Sequence, residues 1–416
     1  MRHALAPVAS LLIGVSILLT GQGLQGTLLP VRATLEGFST VSIGLIGAAY
    51  FFGFTLGCMR GGELVKRVGH VRVFLAMTAL ASAAPLLHGL VLDAWTWSLL
   101  RMLSGFCFAV LYVVIESWLN ERSSDDNRGI VFGTYVMITM TVLAAGQMMV
   151  LLYDPVDLHL FAIASVLVSI AALPVALSTS PSPEQPQSVT PRLGRLFRIS
   201  PAGTLGCLAS GLANGAFWAL APVFTAGLSD DMSLAPWFMT ATVIGGALSQ
   251  WPLGYLSDRI GRRKVLIGAS AAAAVAGTVI VMVGPQLSFA GISVLGAVWG
   301  AVAFPLYTMA VAHANDYADP SEYVMVSGGL LLMYGIGAIV GPFVASTAMT
   351  VVGSTALYVY TTSIHALLVL IAIVRALRRT AAPAEQHIPF ADALATAVTA
   401  SQVYEEEISQ HATEEA

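Results

Sequence analysis

The chain has 416 residues, 56% of them hydrophobic and 10% charged, with 19 Lys and Arg against 23 Asp and Glu. An ordinary soluble domain carries about 25% charged residues, and much of its surface faces water at any size. A mean hydropathy of +0.79 excludes that class and makes lipid the solvent.

A spanning helix takes about 20 apolar residues. Such stretches are predicted near residues 8–29, 40–60, 71–91, 96–118, 129–152, 158–178, 202–226, 235–256, 263–284, 287–312, 323–350 and 354–377. The first follows Arg2 and His3 as a signal peptide would. It lacks a small-residue cleavage site and runs on past Gln25 to Pro30, so it is read as a retained span. Cys58, Cys107 and Cys207 lie within or at the ends of spans, which speaks against a disulfide framework or a thiolate metal site. With the amino terminus in the cytoplasm, 17 of the 19 basic residues fall on the cytoplasmic side, Arg32 falls outside and Arg101 within the fourth span. The positive-inside rule thus puts both termini in the cytoplasm.

The longest internal break, rich in proline and carrying Arg192, Arg195 and Arg198, reads as a flexible linker. It divides the chain into a six-helix half (1–178), a linker (179–201), a second six-helix half (202–378) and an acidic tail (379–416) read as solvated disorder, the alternative being one amphipathic helix through Ile388, Phe390, Leu394 and Val398. Gly62 to Arg72 aligns with Gly254 to Lys264 at an offset of 192, and Leu111-Tyr112 with Asn120-Glu121 aligns with Leu306-Tyr307 and Asn315-Asp316 at 195. Two collinear matches indicate internal duplication.

The segment Gly254-x3-Asp258-Arg259-x-Gly261-Arg262-Arg263-Lys264, after the eighth span, resembles the loop motif of the major facilitator superfamily of secondary transporters. In the first-half copy Gly62, Arg67 and Gly69 keep their places, Lys66 replaces the motif's Asp, and His70 and Val71 replace two basic residues. Arg101 with Gly105 is similar to the fourth-span motif of proton-coupled members, and Glu121-x6-Arg128 to the following loop's Glu-x6-Arg. The fifth span has Ala144-Ala145-Gly146-Gln147 instead of the drug antiporters' Gly-Pro pattern. Segments 115–122, 67–74 and 305–317 resemble the YcaD-type branch of uncharacterised members. The resemblance implies an all-α membrane fold of two pseudo-symmetric six-helix bundles, with spans one, four, seven and ten around a central cavity and three, six, nine and twelve outside.

Polar residues within spans are costly and tend to face a cavity or each other. The candidates for a substrate cavity are Gln22 and Gln25, Tyr112, Gln147, Asn214 with Trp218, Gln250 and Tyr307. The alternative is that these side chains bond neighbouring helices. On the fourth span, 100° per residue puts Arg101, Gly105, Phe108, Tyr112 and Glu116 within a stripe of roughly 80°, with Arg101 roughly 22 Å from Glu116 along the axis. Arg101, Glu116 and His313 are the candidates for proton coupling; snorkelling or structural bonding is the other reading of Arg101, and an interface location that of Glu116 and His313. A cytoplasmic gate is expected from Gly62, Arg67, Gly69, Glu121, Arg128, Gly254, Asp258, Arg259, Gly261, Arg262 and Arg263, with Asp258 and Arg259 latching the two halves together.

These features predict a secondary transporter of a small organic solute, working by alternating access as a monomer in the bacterial inner membrane and coupled to protons. The competing reading is a non-transporting sensor or scaffold acting through the tail. No G-x4-G-K-S/T or H-E-x-x-H sequence is present, so neither ATP hydrolysis nor zinc-enzyme chemistry is expected. No nucleic acid, metal or cofactor is expected.

Overall fold

A computed structural model describes residues 8–123, 127–177, 193–319, 322–378 and 390. The linker before residue 193 and the tail, Phe390 excepted, lie outside them. Among the described residues the chain is helical and forms twelve membrane-crossing segments. In the first half these are Ala9–Leu35, Thr40–Val68, His70–Leu90, Ala94–Glu121, Arg128–Met148 and His159–Ile170, the last continued by Leu173–Ala176. In the second half they are Pro201–Ala226, Leu234–Ile260, Arg262–Val283, Phe289–Ala303 with Leu306–Asn315, Tyr323–Val352 and Ala356–Arg378. Eleven are long and apolar enough to cross a bilayer. The eighth, Leu234–Ile260, is as long but is diluted by Gly245, Gly246, Ser249 and Gln250.

Two expectations are corrected. The tenth span is broken at Phe304 and Pro305, because proline has no N–H to donate and its ring crowds the carbonyl four residues back. The end of the linker is ordered: Leu193–Ile199 is a helix whose Leu196 and Ile199, three apart on one face, are buried with Cys207, Val311 and Val326. Arg195 pairs with Glu322 and holds its carboxyl below the usual carboxylate range by a hydrogen bond.

Lipid tails are as apolar as leucine, so helices in a membrane associate through close packing rather than through the hydrophobic effect. Glycine supplies that packing here. A Cβ on Gly53 or Gly105 would overlap the Met102 or Tyr50 carbonyl, so spans two and four cross backbone to backbone; Gly245 and Gly300 do the same for spans eight and ten. Gly23 and Gly146 join spans one and five, and Gly211 and Gly337 join seven and eleven. Each pair in the first half has its counterpart in the second, so the duplication seen in sequence is repeated in packing. Between the halves, span two packs on eleven, five on eight, and seven on one and two.

Gly105→Leu is expected to lower the thermal unfolding midpoint of detergent-solubilised protein, over-packing of this kind costing about 1–3 kcal/mol. Gly133→Leu is the control, because a Cβ at Gly133 meets nothing within 4 Å. Equal melting of the two variants would contradict the close-crossing argument.

Candidate functional site

A cavity of about 410 Å³ lies between the halves. Its lining comes from spans one, two, four, five, seven, eight, ten and eleven and from none of three, six, nine and twelve. Spans two, five, eight and eleven are additions to the expected wall, contributed because the glycine crossings hold them tightly against spans four, one, ten and seven.

The fourth span supplies Arg101, Tyr112 and Glu116 to this cavity. The other two members of its stripe do different work: Gly105 admits the backbone of span two, and Phe108 is buried in the core of the first half. That close approach brings Tyr50 to Arg101, whose guanidinium lies 4.1 Å from the centre of the Tyr50 ring, a cation–π geometry. Gln22 Nε2 donates to the Tyr50 hydroxyl at 2.7 Å, and the Tyr112 hydroxyl donates to Gln22 Oε1 at 3.1 Å. Arg101, Tyr50, Gln22 and Tyr112 thus form one polar strip across three helices. Glu116 lines the cavity beside Cys58 and Tyr135.

The facing wall is built by the second half. Trp218 stacks on Phe304 at the break in span ten, with rings 5.8 Å apart and 14° from parallel. Gln250 Nε2 donates to Thr308 Oγ1 at 3.1 Å, and the Tyr307 and Tyr334 rings lie 4.9 Å apart. Gln147 lines the cavity and accepts a hydrogen bond from Thr240 across the halves at 3.2 Å.

Three expected site residues lie elsewhere. Gln25 is buried away from the cavity, and its amide has no hydrogen-bond partner among the described residues; three residues along a helix turn it about 60° from Gln22. Asn214 sits behind the wall, hydrogen-bonded to Tyr334. His313 is buried edge-on to Tyr317, with rings 5.2 Å apart, near the end of Leu306–Asn315 and off the cavity. Conversely, Tyr50, Tyr135 and Tyr334 line the cavity without being singled out by the sequence: Tyr112 is marked by its stripe with Arg101 and Tyr307 by its alignment with Tyr112, and no such pattern marks these three.

The turns at Gly69 and Gly261 mark one end of the bundle, called here the motif end. Both have positive φ, +93° and +98°, a conformation that glycine alone adopts without strain, and both join one long helix directly to the next. At Gly261 the buried Arg262 pairs through Nε with the equally buried Asp316 at 2.8 Å, and through Nη2 with Asp258 at 3.3 Å. Arg263 donates to the Tyr317 hydroxyl at 2.9 Å, and Arg259 lies over the Tyr255 ring. All these partners belong to the second half, so in this conformation Asp258 and Arg259 tie that half to itself rather than latching it to the first. In the first-half copy, His70 takes the place of Arg262 and bonds the Ser117 hydroxyl at 3.1 Å. Arg67 is exposed and pairs with Glu63, one turn back. Gly62 lies on the same last stretch of span two, and Glu121 closes span four. Arg128 opens span five, and its side chain is outside the described residues. Phe390 is buried on Gly254, where a Cβ would overlap its ring, and its N–H donates to Asp258 Oδ2 at 3.2 Å, so this residue is packed rather than solvated; the rest of the tail lies outside the described residues.

Contacts between the halves gather at the opposite end. Gly44 packs against Ser346 and Pro342, Gly47 against Ala219, and the Thr27 hydroxyl donates to Met239 Sδ. From this layer the cavity extends toward the motif end as far as Glu116, Tyr135 and Tyr307.

Two six-helix bundles, a motif glycine turn in each and a cavity between them agree with a family whose model matches the sequence. Its model, the Major Facilitator Superfamily, matches residues 11–234 and 203–407. The chain belongs to the Major Facilitator Superfamily. It is 26% identical over 379 residues to the uncharacterised MFS-type transporter YcaD of Escherichia fergusonii, covering 91% of this chain and 97% of that one. An uncharacterised MFS-type transporter of an Enterobacter species is 28% identical over 362 residues, covering 86% and 93%. Among solved structures, the nucleoside transporter NupG superposes with a TM-score of 0.78 at 14% identity, covering 88% of this chain and 98% of that one. A bacterial homologue of the lysosomal transporter Spinster superposes at 0.67 and 14%, covering 98% and 100%. The fold is therefore that of this superfamily of multi-pass transporters.

Asp316→Asn leaves a buried guanidinium without its nearest charge, and such losses cost about 3–5 kcal/mol. A large drop in melting temperature is expected, together with weakened docking of Arg262. Melting like wild type would show that the Arg262–Asp316 pair does not hold the motif turn.

Proposed function

We propose that this protein is a secondary active transporter that carries a small organic solute by alternating access, with protons as the coupling ion. The observation that carries the reading is the asymmetry of the interface. The halves are joined by glycine and hydroxyl contacts at one end, while a largely apolar cavity of about 410 Å³, with a few polar side chains in its wall, reaches toward the other. That volume falls within the range of about 300–1,000 Å³ typical of small-molecule sites. With 17 of the 19 basic residues on the side of the motif end, that end faces the cytoplasm and this conformation is inward-facing. Both termini then lie in the cytoplasm, which fits a bacterial inner-membrane location, and the cavity, complete within one chain, supports a monomer.

Glu116 supports proton coupling. It is the carboxylate among the described residues lining the cavity, and it stands near the mouth where protons arrive from the cytoplasm. Arg101 cannot carry the proton, because a guanidinium stays charged across the physiological range; its charge acts on whatever shares the cavity. Outward opening would separate Gly44 from Ser346 and Gly47 from Ala219 while closing the motif end.

The test is uptake into proteoliposomes under an imposed pH gradient, across a broad panel of solutes, with counterflow as a second readout. Wild type is expected to accumulate its substrate. Glu116→Gln is expected to lose accumulation by at least tenfold while retaining solute exchange, since exchange returns the loaded carrier without proton release. Absence of flux for every solute, or full accumulation by Glu116→Gln, would contradict the reading.

A further inference from the structure

Arg101 is a permanent cation in the membrane-embedded cavity, and among the described residues its partner is the face of the Tyr50 ring, with no carboxylate paired to it. A charge at this depth is expensive unless an opposite charge meets it, and a ring quadrupole offsets only part of that cost. The guanidinium presents a planar fork suited to two carboxylate oxygens. The strip beside it is already set: Tyr50 and Tyr112 are held by the two ends of the Gln22 amide, so an anion arriving there meets fixed groups. Glu116 does not neutralise Arg101 from nearby, standing about 22 Å away along the same helix. The Phe54 ring packs on Tyr50 and Tyr112 of the strip, and the facing wall is aromatic, with Trp218, Tyr307 and Tyr334.

We infer that the ligand is an organic monoanion with an apolar, aromatic-sized body, seated with its carboxylate on Arg101, and that one proton on Glu116 travels with it. This rests on the transporter reading above and adds the substrate class and the stoichiometry. Charge balance ties the two together. Among the described residues lining the cavity the charged side chains are Arg101 and Glu116, and in the proposed cycle Glu116 is ionised, balancing that cation, when the cavity is empty. The loaded cavity holds Arg101, the substrate carboxylate and neutral, protonated Glu116. Both sum to zero, so neither leg of the cycle moves net charge across the membrane. A monoanion without the proton, or a proton without the anion, leaves one unbalanced charge at the interface that must rock.

The probes are 4-phenylbutyrate, its amide, and 4-phenylbutylamine, which share a body and differ in charge. Binding is followed with purified protein in detergent by thermal shift and Trp fluorescence at pH 7, where the acid is ionised. The acid is expected to bind at least tenfold more tightly than the amide, and the amine least. In weakly buffered solution, each bound acid is expected to draw up to one proton onto the protein. Arg101→Gln should level acid and amide, Arg101→Lys should keep part of the preference, and Glu116→Gln should bind the acid without proton uptake. The comparison of the three probes on wild type needs no variant to fold. Equal binding of acid and amide, preference for the amine, binding by none of the three at millimolar concentration, or acid binding without proton uptake by wild type would each overturn the inference. Acid binding with proton uptake but no flux in liposomes would instead sink the transporter reading and leave the ligand class standing. Flux of neutral solutes without preference for the acid would do the reverse.

Discussion

The architecture depends on backbones meeting at glycine. With no hydrophobic drive between helices in lipid, the stability of the bundle comes from dispersion over closely approaching surfaces, and a missing Cβ is what lets the surfaces approach. The four glycine crossings pair spans two with four, one with five, eight with ten and seven with eleven. They leave spans three, six, nine and twelve on the outside, where few polar groups are needed. They also set the distance between Arg101 and Tyr50, because the same Gly105 that accepts the Tyr50 backbone lies one turn from Arg101 on span four. Packing and site are thus consequences of one contact.

The contacts within each half differ in kind from those between the halves. Inside a half, long glycine seams run between helices. Across the halves, the junction at the end opposite the motif consists of small residues, Gly44 on Ser346 and Gly47 on Ala219, with hydroxyl donors to a thioether and an amide oxygen. Small surfaces and weak donors are easily exchanged for others of similar energy, which suits the opening and closing that the proposed transport cycle requires. The fixed polar strip belongs to one half and its aromatic counterface to the other, so any ligand bridging them is sensitive to how the halves are set.

At the motif end the duplicated halves have diverged. Both keep the glycine turn, since positive φ is required for one long helix to follow another directly. The second half reinforces its turn with a buried pair, Arg262 to Asp316, and the first with an imidazole on a hydroxyl, His70 to Ser117. A buried ion pair is held in place by the cost of breaking it, so the second half has the more firmly held turn at the motif end. Phe390, set on Gly254 and bonded to Asp258, adds to that hold.

The amino-acid sequence by itself determined the solvent, the twelve spans, the duplication and the helix face that carries Arg101, Tyr112 and Glu116. These follow from composition and from the rotation of 100° per residue, both local properties. Only the tertiary structure decided which polar residues meet. Gln22 faces the cavity and Gln25 does not; His313 and Asn214 stand outside it; Tyr50, hidden among apolar residues of span two, becomes the partner of Arg101. Asp258 and Arg259 belong to their own half, although their spacing suggested a latch between halves. Helical periodicity sets angles around one axis, whereas the rotation and crossing point of each helix against its neighbours are set by where backbones can touch, and that is a property of pairs of helices.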